Sequence, residues 1–543
     1  MKKVSISILM ILIVILAVSM VGTVSATNTT ITSTTNGGLI TAIKNSSANE
    51  IIYLENGVYK GKNNTGIIIN KNLTIQGNGN NVVLNGEGKN SIFNITKKVS
   101  VKLINLKLIN AHSMNYGAVI NNKGSLSVSG CNFTNNHVSN DDDGVMGGAI
   151  SNTGSLNVRS CNFTNNKAEW GGAIYNEGSL SLSNSNFTSN KANYGGGAIH
   201  NSDNSGSLSV RSCNFTNNKA EYGGAICNSG SLSVRSCNFT NNKVFPQNSG
   251  IPAYGGAIHN LGSFSVINCN FRNNTAILGG GAIHNSDNSG SVIVKGCKFI
   301  NNKAEWGGAI ANTYDEGSLI VRSCNFINNK AETNGGAIDN HRNGSLSLSN
   351  SNFTSNKANY GGAISNWNFG SVSVKGCRFI NNKAKHTGGA ISNMDGVWSE
   401  IRTLKLNNLV FKYNIAGKVY NAIDSYKGKV SKIKISITPK DGITVKKPDL
   451  KITKITKVTK NSNSRYVYLR NNGGKIAGKS YLGVYDAKTK IKSVKISSIK
   501  VGETLRVKVS IPAKYKSKIK TFKVDIKNTL KEIYEDNNSY KAK

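Results

Sequence analysis

Hydrophobic and polar residues alternate in short runs along most of the chain. Leu126 and Val128 alternate with serines, and Cys131 and Phe133 alternate with Asn132. A period of two is that of a β-strand, in which alternate side chains face inward. The runs are three to five residues long and are separated by Gly, Asn and Ser, which favour turns. None of these runs has a helical period, so the sequence predicts an all-β fold of short strands.

The strand pattern belongs to an internal repeat. The tetrapeptide Gly-Gly-Ala-Ile begins at Gly147, Gly171, Gly196, Gly223, Gly255, Gly280, Gly307, Gly335, Gly361 and Gly388. Each copy is followed by an Asn, by Gly-Ser-Leu-x-Val or a variant, and by Cys-x-Phe-x-x-Asn or a variant; consecutive copies lie 24 to 32 residues apart. A period of this size indicates stacked structural units. A 24-residue unit fits three short strands and three corners, which is one coil of a right-handed parallel β-helix.

Two inward positions of the repeat predict ladders of identical side chains. The Asn that follows Gly-Gly-Ala-Ile is expected to bond to its copy on the next coil. Eight of the nine cysteines share one repeat position, which Ser185 and Ser351 occupy in two other coils. Buried reduced thiols are the favoured interpretation of that column. Disulfides between vertical neighbours are the alternative, because the coil spacing of about 4.8 Å lies within disulfide range.

The domain organisation follows from composition along the chain. Residues 1–26 read as a signal peptide with a basic start, an apolar core and a small-residue cleavage site. Residues 27–445 are predicted to form the parallel β-helix, with regular coils over 116–393 and closing coils or a cap over 397–445. Residues 448–543 lack the repeat and contain several alternating runs, which predicts an immunoglobulin-like β-sandwich. The mature protein is therefore expected to be secreted and extracellular or cell-surface.

The charge is concentrated at the C-terminal end. The chain has 66 Lys and Arg against 27 Asp and Glu, a net charge of +39, and residues 401–543 contribute 35 basic and 9 acidic side chains. Such a domain is attracted to anionic envelope polymers or lipid head groups. A solvated surface that keeps the protein soluble is the alternative. The chain has no recognised nucleic-acid-binding motif, and a specific nucleic-acid partner is not expected.

Aromatic residues recur just before the paired glycines. A column of this kind on one edge of a solenoid can form a platform for sugar rings or a partner surface. Packing over the glycines, which have no side chain to cover the core, is the alternative. The predicted binding column consists of Tyr116, Trp170, Tyr194, Tyr222, Tyr254, Trp306 and Tyr360.

The position between the Ile and the Asn of each coil is expected to face solvent. It holds His200, Cys227, His259 and His284 on four consecutive coils, which makes them weak candidates for a soft metal. Filler at an exposed position is the alternative, and no cofactor is expected. The same column contains one acid, Asp339. Residues 141–143 form an acidic corner, interpreted as a solvated turn rather than a calcium site.

Catalysis by a β-helix on polysaccharides needs paired carboxylates roughly 5–9.5 Å apart. The sequence offers no convincing pair, so the protein is expected not to be an enzyme. Outward asparagines in Asn-x-Thr sequons are candidates for glycosylation in a secreted chain. A simple preference of Asn and Thr for the repeated strand is the equal alternative. The candidates are Asn132, Asn162, Asn186, Asn214, Asn238 and Asn352.

These motifs carry resemblances to known families. Gly-Gly-Ala-Ile combined with Phe-x-x-Asn resembles the repeat of the chlamydial-type polymorphic outer membrane proteins and of adhesin-like surface proteins, which implies a surface β-helix linked with adhesion. Residues 33–110 resemble the first coils of pectin-lyase-like β-helices. Residues 448–543, with Pro448-Asp449-Leu450 and the Asn-Asn-Gly-Gly that starts at Asn471, resemble a CARDB-type adhesion module of immunoglobulin-like fold.

The sequence as a whole predicts a non-catalytic, adhesin-like surface protein. Its solenoid presents a long face to carbohydrate or protein partners on the envelope or on a neighbouring or host cell, and its basic sandwich attaches it to the envelope or docks a partner. A polysaccharide-active β-helix enzyme and a passive structural protein of the envelope are the alternatives.

Overall fold

The computed structural model of the chain describes residues 28–139, 144, 146–202, 206–246, 253–286, 291–313, 317–341, 344–367, 370–394, 403–417, 419–425, 429–432, 435–437, 442–445, 450–456, 464–471, 477–486, 489–500, 503–512, 515, 521–524 and 539–541. The predicted signal peptide and the acidic corner at 141–143 lie outside the described residues.

The described part of residues 28–445 is a parallel β-solenoid in which equivalent strands of successive coils pair in register. One face, the Ser-Leu column, consists of Thr29–Ile31, Glu50–Lys60, Leu73–Asn85, Ser100–Ile104, Ser125–Ser129, Ser155–Arg159, Ser179–Ser183, Ser207–Arg211, Ser231–Arg235, Phe264–Ile267, Ser291–Lys295, Ser318–Arg322, Ser345–Ser349, Ser371–Lys375, Thr403–Asn407 and Lys429–Lys432.

The next strand of each coil belongs to the Asn-Phe column, and the strands Glu50–Lys60 and Leu73–Asn85 are long enough to run through both columns. The shorter members are Lys107–Ile109, Asn132–Thr134, Asn162–Thr164, Asn186–Thr188, Asn214–Thr216, Asn238–Thr240, Asn270–Arg272, Lys298–Ile300, Asn325–Ile327, Asn352–Thr354, Arg378–Ile380, Leu409–Lys412 and Ile435–Ile437.

Two further columns complete each coil. The Lys-Ala column consists of His112–Ser113, His137–Val138, Lys167–Trp170, Lys191–Gly195, Lys219–Ala220, Lys243–Val244, Lys303–Trp306, Lys330–Asn334, Lys357–Tyr360, Lys383–Thr387 and Ile415–Ala416. The Ile-Asn column consists of Ile67–Ile69, Phe93–Ile95, Ile120–Asn122, Ile150–Asn152, Ile174–Asn176, Ile199–Asn201, Ile226–Asn228, Ile258–Asn260, Ile283–Asn285, Ile310–Asn312, Ile338–His341, Ile364–Trp367, Ile391–Met394, Val419–Ser425 and Gly442–Val445.

A regular coil therefore has four short strands, and the expectation of three was wrong. The additional strand is the Lys-Ala segment, which is separated from its neighbours by left-handed residues. Asn165, with φ 55°, precedes it and Gly171, with φ 63°, follows it. Single residues at positive φ turn an extended chain sharply, and Asn and Gly adopt that conformation most readily. The alternation was too short in this segment to indicate a strand.

The two glycines of Gly-Gly-Ala-Ile meet different requirements. The first, such as Gly223 with φ 62°, adopts the left-handed conformation of the corner. The second lies against the next coil: a Cβ on Gly224 would come 2.3 Å from the carbonyl oxygen of Gly256. Side chains are thus excluded from this corner because the coils stack backbone to backbone.

The core consists of ladders of like side chains. Phenylalanine rings from Phe133 to Phe411 stack with centroids 4.5 to 5.1 Å apart. The predicted amide ladder after Gly-Gly-Ala-Ile is confirmed, with Nδ2 to Oδ1 distances of 2.6 to 2.9 Å from Asn122 to Asn393. A second amide ladder, which the sequence reasoning missed, joins the last Asn of Phe-x-x-Asn from Asn136 to Asn414.

The cysteines are buried free thiols, as the favoured interpretation had it. In the shared column each sulfur accepts a hydrogen bond from the backbone N–H of the preceding coil, as between Cys213 N and Cys237 Sγ at 3.4 Å. The thiol also donates to a carbonyl of its own coil, the Arg235 oxygen at 3.2 Å. Burial raises the pKa of the Cys377 thiol to about 11, so that member of the column stays protonated at neutral pH.

Helix α1, Gly38–Asn45, lies at the N-terminal end of the solenoid and buries Leu39, Ala42 and Ile43. At the other end, Thr403–Asn407 and Leu409–Lys412 still pair in parallel with the preceding coil. The apolar side chains of these two strands are covered as well: Leu404 and Phe411 are fully buried. Within the described ranges no helix is long and apolar enough to cross a membrane.

The C-terminal region has a separate core and antiparallel sheets. One sheet pairs Leu450–Ile455, Ser464–Asn471 and Thr504–Ser510, and the other pairs Thr489–Ile496, Ser480–Asp486, Thr521–Val524 and Ser539–Lys541. Val467, Leu482 and Phe522 lie in one buried cluster between them. This is the immunoglobulin-like sandwich that the short alternating runs predicted.

Candidate functional site

The column between the Ile and the Asn of each coil is buried, so the expectation that it faces solvent was wrong. Tyr175, His200, Cys227, His259 and His284 lie on successive strands, in register with one another. Their exposed fractions are between 2% and 8%. They point away from the interior of the solenoid, yet neighbouring side chains cover them. We call this column the groove floor.

The cover is the aromatic column that the sequence had indicated separately. Trp170 ends its Lys-Ala strand, and the left-handed turn at Gly171 directs the following strand back beneath the ring. The Trp170 ring meets His200 edge-on at 4.8 Å. Farther along, Tyr254 stacks on His284 at 4.3 Å. Because the two columns meet at an inside corner of the coil, they form one site.

The other members of the aromatic column extend this site to different degrees. Tyr222 stacks on His259 at 5.3 Å, and Tyr194 stacks on Trp170 at 5.4 Å. Trp306 lies 6.2 Å from Tyr254. Two members lie toward the ends: Tyr116 is 51% exposed, and Tyr360 packs on His386 at 5.0 Å. The structure brings together the central five and leaves these two at the margins.

Where the rings part, they leave an open pocket of about 490 Å³. This volume falls in the range of small-molecule sites. The sequence reasoning did not anticipate Met146, Ser229 and Leu261 as parts of its wall. The complete lining is Met146, Trp170, Tyr175, His200, Tyr222, Cys227, Ser229, His259 and Leu261.

An extra glycine marks the places where rings fill the groove. The chain has Gly-Gly-Gly instead of Gly-Gly at Gly195 and at Gly279. A Cβ on Gly195 would lie 2.7 Å from the Trp170 ring, and one on Gly279 would lie 2.8 Å from the His284 ring. The triple glycine is therefore a signal in the sequence for the position of the groove.

Several groups that line the groove are uncharged at neutral pH. Burial, together with the charge of His200, lowers the pKa of His259 to about 4. Burial raises the pKa of Cys227 to about 12, and burial followed by the charge of Glu221 raises the pKa of Tyr222 to about 12. Neutral imidazole, thiol and phenol groups suit an uncharged polar ligand better than an ion.

The histidines have individual hydrogen-bond environments. Ser286 Oγ lies 2.9 Å from His284 Nδ1, and Thr313 Oγ1 lies 2.9 Å from His284 Nε2. Both ring nitrogens of His284 are thereby occupied. His259 has Ser286 Oγ at 3.4 Å from its Nε2, and its Nδ1 has no hydrogen-bond partner within the described residues. His259 therefore keeps one buried ring nitrogen without a partner at the floor of the pocket.

The weak metal candidates do not form a metal cluster. No group of three or more His, Cys, Asp or Glu able to hold an ion occurs among the described residues. His259 and His284 stack as rings, 5.2 Å between centroids, rather than converging on a point. The two rings therefore lie side by side along the lining of the groove.

Asp339 continues the same column beyond the pocket and is completely buried. Its Oδ2 lies 3.9 Å from His341 Nδ1. Burial raises the pKa of Asp339 to about 7. A single acid of this kind can hold or release a proton near neutral pH, whereas glycoside hydrolysis requires a second carboxyl group at a defined distance. The expectation that the chain is not catalytic stays a prediction.

The candidate glycosylation residues lie on the Asn-Phe column, outside the groove. Five of the six, all except the half-buried Asn132, are exposed. Their amides bond to one another along the outside of the solenoid: Asn186 Nδ2 donates to Asn162 Oδ1 at 2.9 Å, and Asn214 Nδ2 donates to Asn186 Oδ1 at 2.8 Å. Attachment of a glycan at one Nδ2 would replace one of its two N–H donors.

Comparisons with known families agree with this architecture. The repeat of the Chlamydia polymorphic membrane protein matches residues 160–177, 212–229, 268–286, 323–341 and 376–394. A CARDB domain matches residues 447–542. No curated protein matches the chain.

The two family matches confirm the resemblances to the polymorphic membrane protein repeat and to CARDB. The resemblance of residues 33–110 to pectin-lyase-like β-helices stays a prediction. Each matched repeat segment runs from the Asn-Phe column to the Ile-Asn column, and the segments 160–177 and 212–229 include both a ring of the cover, Trp170 or Tyr222, and a residue of the groove floor. Together with the solenoid, the matches imply an adhesin-like β-helix protein associated with the cell surface.

Proposed function

We propose that the protein is a secreted, non-catalytic adhesin whose aromatic groove binds the uncharged sugar rings of a surface glycan, and whose basic C-terminal domain attaches it to the cell envelope. The observation that carries the proposal is the pocket of about 490 Å³ between Trp170 and Tyr222. Both rings are half-buried, so each keeps a free surface at the wall of the groove.

The lining of the pocket suits a sugar for three reasons. Sugar rings have apolar faces of C–H groups that pack on the faces of aromatic side chains. Hydroxyl groups around the ring need donors and acceptors, which Ser229 and the neutral His259 supply. The neutral His259 imidazole and Cys227 thiol at the floor of the pocket favour a neutral ring over an anion or a cation.

Attachment by the C-terminal domain rests on its charge. Lys490, Lys495 and Lys508 are exposed on its strands, and residues 448–543 carry 24 basic against 7 acidic side chains. Lysines at such a density are attracted to anionic polymers or lipid head groups and lose that attraction in salt. The groove and the C-terminal domain are thus proposed to hold two different partners by two different forces.

The groove is tested with the full mature chain and with neutral oligosaccharides released from the envelope of the producing cells. Tyr222→Ala removes the ring that covers His259 and is expected to weaken binding at least about tenfold, as loss of a buried aromatic anchor does. Tyr53→Ala, at a half-buried tyrosine outside the groove, is the matched control and should bind like the wild type. Titration calorimetry gives the affinities, and thermal unfolding checks that both variants fold.

Equal affinities of the two variants would contradict a sugar site in the groove. If the wild type binds none of the oligosaccharides, the protein is better explained as a structural component of the envelope. Shortened oligosaccharides recovered after incubation would indicate an enzyme instead.

A further inference from the structure

A second surface of the solenoid is strongly cationic and lies apart from the groove. It consists of the stretch from the last residue of each Ser-Leu strand to the first residue of the Lys-Ala strand, as in residues 159–167. The nine such stretches from 159–167 to 375–383 contain 17 Lys and Arg and no Asp or Glu. We call this surface the cationic face. The first 400 residues contain 31 Lys and Arg in all, so more than half of them lie on this one face.

Parallel pairing sets these cations in rows. Lys167 is in register with Lys191, and Lys191 with Lys219. On the other edge of the face, Arg211 is in register with Arg235. Neighbouring strands of a sheet are about 4.8 Å apart, so each row repeats its charge at that interval wherever successive coils carry one.

The rows have little compensation from the chain itself. All the cations of the face are exposed. Within the described residues only Lys303 among them lies within 4 Å of a carboxylate, that of Glu332 at 3.2 Å. Like charges at this spacing repel one another, and an external polyanion relieves the repulsion while releasing its own counterions. The face is therefore built to accept a chain of negative charges.

We infer that the cationic face binds an extended acidic polysaccharide, such as a sulfated or uronate polymer, that lies along the axis of the solenoid. The surface between the two rows is lined by the outer amide ladder, which includes Asn214 Nδ2 donating to Asn186 Oδ1 at 2.8 Å, and by threonine hydroxyls such as Thr216. Amides and hydroxyls both donate to and accept from sugar hydroxyls.

Other polyanions fit this face less well. The aromatic residues of the nine stretches are the fully buried phenylalanines of the core, such as Phe163 and Phe215. The nine stretches thus contain no exposed ring on which single-stranded nucleic acid could stack. The nearest ring is that of the half-buried Phe245, whose centroid lies 4.9 Å from Lys191 Nζ at the edge of the face. It is also a sheet surface without the apolar stripe that an interfacial membrane element needs. A straight row of charges flanked by hydrogen-bonding groups matches an extended, hydroxylated polymer.

The inference is independent of the sugar groove and of the C-terminal domain, because none of its residues belongs to either.

The position of the cationic face also affects what glycosylation of the candidate asparagines would do. Asn162, Asn186, Asn214 and Asn238 lie in the middle of the cationic face. Glycans attached there would cover the face, so polymer binding and modification of these residues are mutually exclusive.

The test compares charge-removing variants of the full mature chain on immobilised heparin and on polygalacturonate at about 50 mM salt, where the Debye length is long enough to reveal surface charge. The face variant combines Arg211→Gln, Lys219→Gln, Arg235→Gln and Lys243→Gln. We expect it to bind at least about tenfold more weakly than the wild type, since each cation next to an anionic surface contributes measurably. A charge-retaining variant (R211K, K219R, R235K, K243R) should bind within about threefold of the wild type.

Two further variants each lose four positive charges at other places in the chain. One has Lys62, Lys89, Lys97 and Lys102 changed to Gln, at exposed sites of the first coils, and the other has Lys490, Lys495, Lys500 and Lys508 changed to Gln in the C-terminal domain. The variant of the first coils is expected to bind like the wild type. The C-terminal variant is expected to lose part of the binding, because the proposed function gives that domain an attraction of its own for anionic polymers. A loss in the first-coil variant equal to that of the face variant, or no loss in the face variant, would overturn the inference. Displacement of heparin by single-stranded DNA at equal charge concentration would overturn it in favour of nucleic acid.

Discussion

The interior ladders and the groove floor are both buried. The ladders repeat the same residue from coil to coil, whereas the residue on the groove floor differs between most neighbouring coils. Fully buried phenylalanines stack at 4.5 to 5.1 Å. The floor instead reads Ser151, Tyr175, His200, Cys227, His259, His284, Ala311, Asp339, Ser365 and Ser392, in register along one column.

The difference lies in what each side chain contacts. An interior Asn donates to the copy of itself on the next coil, so changing one member leaves polar groups of its neighbours without partners. On the floor, His200, His259 and His284 instead pack against large aromatic rings from another column. Such packing does not require the same residue on the next coil. A solenoid can therefore vary its groove coil by coil without disturbing the ladders that hold it together.

The largest effect is expected from breaking an interior ladder. Asn218 donates to Asn242 Oδ1 at 3.0 Å and to the Phe187 carbonyl at 2.9 Å, and its own Oδ1 accepts from Asn190. Asn218→Ala leaves several of these buried groups unpaired and should lower the free energy of unfolding by about 3–4 kcal/mol. Urea unfolding measures the loss.

Asn214→Ala, which interrupts the exposed amide ladder on the same coil, is the matched control. It should cost less than about 1 kcal/mol, because water replaces the lost hydrogen bonds. Equal losses of unfolding free energy in Asn218→Ala and Asn214→Ala would contradict this reasoning, because burial would then make no difference to the stabilisation by an amide ladder.

The second prediction concerns Asp339 on the groove floor. Its pKa is raised from 3.8 to about 7 in the folded protein, so folding favours its neutral form. Its contribution to stability is complete below the unfolded pKa and is lost as the pH rises through 7. Asp339→Asn should therefore stabilise the protein by about 2–3 kcal/mol at pH 8 and have little effect near pH 4.

The control for this prediction is Glu332→Gln at the exposed ion pair with Lys303. Its effect should stay below about 1 kcal/mol at either pH, as for other surface pairs. Thermal unfolding across pH 4 to 8 compares the two. A pH-independent effect of Asp339→Asn would mean that the carboxyl does not titrate in this range.

The smallest effects compare two buried cysteines. Ser185 already occupies the ladder position, accepting from Cys161 N at 3.1 Å and donating to the Ser183 oxygen at 2.8 Å. Cys237→Ser keeps the same bonds and should cost less than about 1 kcal/mol. Cys227→Ser on the groove floor buries a hydroxyl among rings and should cost about 1–2 kcal/mol.

Chemical denaturation of both cysteine variants under reducing conditions decides between these values. A larger loss of stability in Cys237→Ser than in Cys227→Ser would contradict this prediction. It would mean that the interior ladder, and not the groove floor, requires a thiol at that position.

Much of the architecture could be predicted from the chain, but the groove could not. Alternation of residues such as Cys131, Asn132 and Phe133 indicated strands, and the spacing of Gly-Gly-Ala-Ile indicated coils. The same alternation led to the incorrect assignment of His200 and its neighbours to solvent, because a period of two gives only the side of the strand. It does not tell whether another part of the coil lies over that side.

The sequence by itself determined the solenoid, its ladders, the sandwich and the concentration of charge, because each of these depends on local patterns that repeat along the chain. Tertiary structure alone decided that the aromatic column and the histidine column meet, that Asp339 is buried, and that scattered lysines and arginines form rows. Those outcomes depend on the angle of a corner and on the register between coils. Both are set by backbone contacts such as the approach of Gly224 to the Gly256 carbonyl, which join residues far apart in the chain.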